Sequence, residues 1–151
     1  MYHEKLIAYQ EGLALAVLLG ERSDAQVRTN YAIKDQINRA SLSIPLNIAE
    51  GSARSSSRDR AHFYVIARAS AAECAALVDV MHKRKFIDAT EFAALKTKCN
   101  QVSTLLYKMI QSTRAQINKE PRNQGDQGTK ATRMTKVTKV TKEPRQPRQP
   151  G

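Results

Sequence analysis

The chain has 151 residues, enough for one ordinary domain with a core and no argument for two. Aromatic residues are only 5% of it and Trp is absent, which excludes a core of large rings and leaves aliphatic stripes on closely packed helices. Twenty-five Lys and Arg stand against 14 Asp and Glu, a formal charge of +11 that points to a polyanion as the natural class of partner.

Glu4, Lys5, Gln10 and Glu11 interrupt the apolar N-terminal stretch, so it reads as a mature helix and not a signal peptide. No run approaches the roughly 18 apolar residues of a membrane span, and a soluble, cytoplasmic protein is expected. Leu6, Tyr9, Leu13, Ala16 or Val17, and Leu19 recur at helical spacing and predict a first helix from about Tyr2 to Gly20, with Gly20 as its stop. Ser23 or Asp24 can cap the second helix, because a short side-chain oxygen accepts from the free N–H groups of a first turn. That helix is expected from about Ala25 to Glu50 on Val27, Tyr31, Ile37, Ala40, Ile44 and Ile48. Pro45 removes a backbone donor and crowds the preceding turn, so a kink is expected between Ser41 and Pro45, with Gly51 ending the helix.

Residues 52–60 form a polar loop in which Ser56 and Asp59 have capping-box-like spacing. The third helix then carries Phe63, Ile66 or Ala67, Ser70, Cys74, Leu77 and Met81, and the small side chains of residues 67–76 predict the tightest helix contact. Asp88 with Glu91 opens the fourth, whose Phe92, Leu95, Cys99, Val102, Leu106 and Met109 follow a near-heptad rhythm. From Lys119 onward there are nine basic and three acidic residues, four of the five prolines and almost nothing apolar to bury. The reading is all-α: an antiparallel up-down four-helix bundle over 1–118, followed by a disordered basic tail over 119–151.

The chemistry of catalysis is missing from the pattern. A di-metal bundle needs two Glu-x-x-His pairs, and only Asp79 with His82 comes near one. His3 and His62 have no carboxylate at triad-like placement, Cys74 and Cys99 read as buried reduced thiols, and Gly51-Ser52 stands without a phosphate-loop motif. No enzyme, metal site or cofactor is expected. Asn47 and Glu50, near the proline, and Glu73, on the alanine-rich helix, are expected to form a structural network with an arginine between helices two and three.

The stretch from Gln36 to Val80 carries a more specific signal. Arg39, Ala40, Ser43, Ile44, Asn47, Ile48, Ala49, Glu50 and Gly51, then Arg54, Ser56, Phe63, Ala67, Ser70 and Glu73, follow a gapless pattern. It resembles the four-helix-bundle family named for the protein encoded in intervening sequences of 23S rRNA genes. In helix three the family's second Glu and its Leu positions are replaced, the segment here being ASAAECA. The resemblance implies a homopentameric ring and a likeness to the accessory variability determinant of diversity-generating retroelements, a basic protein that binds nucleic acid and a reverse transcriptase. The motif positions Asn47, Glu50, Gly51, Ser70 and Glu73 are structural in this reading.

Two functions fit. In the first the chain is a non-catalytic accessory protein that binds RNA or DNA without reading bases, through Arg39, Arg54, Arg58, Arg60 and Arg68, with self and a reverse transcriptase as further partners. In the second it is a protein–protein adaptor whose charge serves solubility. Either way, apolar positions such as Leu42, Val65 and Leu105 exceed what one bundle can bury, so self-association is expected.

Overall fold

The computed structural model describes residues 3–26 and 30–119; the expected tail, apart from Lys119, lies outside the described residues. A short 3₁₀ turn at His3–Lys5 leads into α1 (Ile7–Gln26), α2 (Tyr31–Ala53), α3 (Ser57–Lys83) and α4 (Ala89–Ile117). Each helix packs on the next and α4 returns to α1, which makes an up-down four-helix bundle. The core is a single aliphatic column, with Leu15, Ile37, Ile44, Ile48, Val102 and Leu106 all but sealed from solvent. Among the described residues no helix is long and apolar enough to cross a membrane.

Local signals place α3 and α4. Ser56 accepts from the Asp59 N–H at 3.4 Å, and Asp88 and Glu91 close a reciprocal capping box, with Asp88 accepting from the Glu91 N–H at 2.8 Å. The chain passes between the two helices through Lys85, whose φ of 60° lies in the left-handed region.

The first two helices differ from the expectation. Gly20 does not stop α1, which continues to Gln26. Ser23 is no cap: it is fully buried, and its hydroxyl lies 2.9 Å from the Gly20 carbonyl and 3.3 Å from Asn38 Oδ1, tying α1 to α2. Asn30 caps α2 by accepting from the Ile33 N–H at 3.3 Å. The buried face of α1 is also rotated from the expected one. Ala8, Gly12 and Ala16 lie one turn apart and let α2 approach so closely that a Cβ on Gly12 would stand 2.8 Å from Ile44 Cγ2. That row turns Leu13 and Val17 outward, 43% and 54% exposed.

Gly51 is likewise no terminator. α2 runs unbroken through the buried Pro45 and past Gly51 to Ala53. A Cβ on Gly51 would lie 2.8 Å from Tyr64 Cε1 and 3.0 Å from Phe63 Cβ, so this glycine sets the approach of α2 to α3 just before the chain turns between them.

Candidate nucleic-acid interface

The turn between α2 and α3 gathers the arginines at one end of the bundle. Arg54 is the C-cap of α2, and its guanidinium pairs with Glu50 one turn back while lying 5.0 Å from the Phe63 ring centroid. Arg58 projects into solvent from the first turn of α3, and Arg60 follows it, donating from Nη2 to the Arg54 carbonyl at 3.1 Å. A helix N-terminus carries partial positive charge and favours acids, but only Asp59 answers that preference here. Two arginines on the positive end of a dipole strengthen the local field.

Arg68 lies two turns further along α3 and stands 5.2 Å from the Tyr107 ring centroid of α4. The two line a groove of about 330 Å³ that also takes in Arg114. Among the described residues no carboxylate pairs with Arg58, Arg60, Arg68 or Arg114. Arg39 does not join this end. It is fifteen residues before Arg54, about 22 Å along α2, and its side chain lies 3.9 Å from Asp35.

Sequence reasoning missed Tyr107 and Arg114, because it looked for aromatic and basic groups only along helix two, its loop and the first part of helix three. The available signal was the spacing of Ser103, Tyr107, Gln111 and Arg114 along one face of α4, a face that α3 brings beside Arg68.

The expected network of Asn47, Glu50 and Glu73 with an arginine separates into three contacts. Asn47 Nδ2 donates to the Ser43 carbonyl at 2.7 Å and to the Ser43 hydroxyl at 3.0 Å. The Ser43 and Ser70 hydroxyls are 2.8 Å apart, and Ser70 donates to the Ile66 carbonyl at 3.1 Å. Since Ser70 has one proton, the order is Asn47 to Ser43 to Ser70 to Ile66, and it joins α2 to α3 without a charge. Glu50 instead faces solvent and holds Arg54, while Glu73 accepts from Gln36 across the same helix pair.

Burial pushes the Cys74 thiol up to about 12, with Cys99 and Glu73 adding to the effect, and pushes Cys99 up to about 11. Both stay protonated at neutral pH. Among the described residues no three His, Cys, Asp or Glu side chains are grouped to hold a metal ion.

Residues 4–108 match the family model of the 23S rRNA-intervening sequence protein. Five solved chains resemble this one. One is a protein of unknown function from the S23 ribosomal protein family of Bacteroides thetaiotaomicron. It is 20% identical, superposes with a TM-score of 0.64, and covers 69% of this chain and 98% of its own. At that identity the likeness is one of fold. No curated protein matches.

Proposed function

The chain belongs to the 23S rRNA-intervening sequence protein family, and from that premise we propose that it is a non-catalytic accessory protein that binds nucleic acid by its phosphates and assembles into a ring. The observation that carries the reading is the set of arginines at the α2–α3 end that no carboxylate neutralises. A strand laid across that end would release counterions from its backbone as Arg58, Arg60 and Arg68 replace them. Tyr107 offers a ring on which any base can stack, so the groove adds affinity with little base preference.

Self-association is supported by apolar side chains left outside the bundle. Leu13 and Val17 on α1, and Leu42 and Leu46 on α2, are pairs one turn apart, all four at least 43% exposed. By helical phase both pairs lie on the outer flank of the α1–α2 seam, a surface suited to a neighbouring copy. Heterologous contacts close into a ring where the rotation from copy to copy divides a full turn. The choice of five copies, and of a reverse transcriptase as protein partner, follows the likeness to the accessory proteins of diversity-generating retroelements.

The test is anisotropy of labelled strands of scrambled sequence, titrated with the full chain at several salt concentrations. Replacing Arg58 and Arg68 with Gln should weaken binding equally for every sequence and lower the salt slope by about 0.7 to 0.9 per arginine. Circular dichroism and light-scattering mass should not change. Unaltered affinity and slope would favour the adaptor reading.

A further inference from the structure

Phosphate binding accounts for the arginines, yet the groove between α3 and α4 also has an apolar interior. Val65, Ala69 and Ala72 line it from α3 and Tyr107 and Ile110 from α4, and none of its lining residues is acidic. Ala69 and Ala72 belong to the small-residue run of α3, but both are exposed instead of packed against a helix. Their methyl groups leave open space beside Tyr107, which is 48% exposed. A phosphate, all charge and acceptor oxygens, gains nothing from an alanine wall. A flat apolar face does, through buried area and stacking on the ring.

Arg68 adds to that fit. Its guanidinium lies 5.2 Å from the Tyr107 ring centroid, so a planar cation and an aromatic ring line the groove together. Each offers a plane on which a nucleobase stacks. Arg114 stands seven residues beyond Tyr107, about 10 Å along α4 towards the Arg58 end, in reach of the next phosphate. The groove thus combines a place for one base with cations for its backbone. Within a duplex the base faces are covered by their neighbours, and turning one out costs unpairing and unstacking. A duplex reaches the arginines and leaves the ring unused.

We propose that this groove seats an unpaired base of a single strand, stacked on Tyr107, and that the chain therefore binds single strands in preference to duplex. The proposal rests on the nucleic-acid reading and adds the form of the strand. The cations beyond the groove, Arg58 among them, favour a base within a strand over a free nucleotide, whose one phosphate would leave them unused.

The experiment measures, by anisotropy on the full chain, the affinity for three ligands of one length: a strand of thymidines, the same backbone with every base removed, and a duplex. The first two carry the same phosphates, so their difference isolates the base. The native chain should bind the thymidine strand about tenfold more tightly than the abasic one. Tyr107→Leu should abolish that difference and Tyr107→Phe should keep it, while duplex affinity changes by less than about twofold in either. Because the position is exposed, circular dichroism should be unaltered in both variants. The sequence has no Trp, so Tyr107→Trp places a single indole in the groove, and the thymidine strand should quench its fluorescence saturably while the abasic strand should not. Equal affinity of the native chain for thymidine and abasic strands, or a difference that survives Tyr107→Leu, overturns the proposal and leaves phosphate binding standing. Thymidine monophosphate that binds as tightly as the strand overturns the strand as occupant. Failure of all three ligands to bind overturns the proposal and the nucleic-acid reading together.

Discussion

The two ends of the bundle treat charge differently. Around the α1–α2 and α3–α4 connections, described residues 21–26, 30–41 and 79–91 hold six basic and six acidic side chains. Ion pairs run through that end, Arg22 with Glu91 and Lys34 with Asp24 at 2.6 and 2.7 Å. At the α2–α3 end, residues 3–11, 43–70 and 104–119 hold eight basic and four acidic side chains, and most of the arginines lack a carboxylate. The first end balances its signs, with Arg22, Lys34 and Arg39 each facing a carboxylate. The second has twice as many basic as acidic side chains and, of its arginines, only Arg54 faces a carboxylate, so a net charge of +11 says less about partners than the place where it is left in excess.

The largest expected effect breaks the arginine end by separating the helices that build it. Gly51→Ala puts a methyl against the buried Tyr64 ring and the Phe63 Cβ, neither free to retreat, and should cost about 1–3 kcal/mol. Urea denaturation of the variant should show the loss, and strand affinity should fall with it because Arg54 and Arg58 flank the same turn. The opposite end offers a smaller lesion. Asp88→Ala removes the capping box of α4 and should cost about 1 kcal/mol, visible as a lower melting temperature, with strand affinity unchanged. A cap lesion that weakened strand binding as much as Gly51→Ala would show that the two ends are not separable.

These sites also mark what the sequence could and could not disclose. Ser56 and the Asp88–Glu91 pair were legible because a cap is a local bargain between residues three apart. The end of α1 was not, since Gly20 is held helical by Ser23 and by Asn38 fifteen residues further on. Its buried face was hidden for another reason: α1 is apolar most of the way round, so the phase was decided by the small row Ala8, Gly12 and Ala16 rather than by hydrophobic spacing. In the site, Arg54, Arg58 and Arg60 were readable from their clustering in one loop. Arg39 shares their motif but stands about 22 Å along a helix from Arg54, and Tyr107 is remote in sequence yet beside Arg68, so adjacency misled in both directions.

The most direct test compares the ends within one experiment. Lys83, Arg84 and Lys85 form an exposed basic run at the charge-balanced end, a natural counterpart to Arg54, Arg58 and Arg68. Each triple is changed to Gln in the full chain, and the salt dependence of strand binding is measured with the tail common to both. The account predicts a slope lower by about 2 for the arginine-end variant and nearly native for the other. An equal or greater loss from Lys83, Arg84 and Lys85 would contradict it.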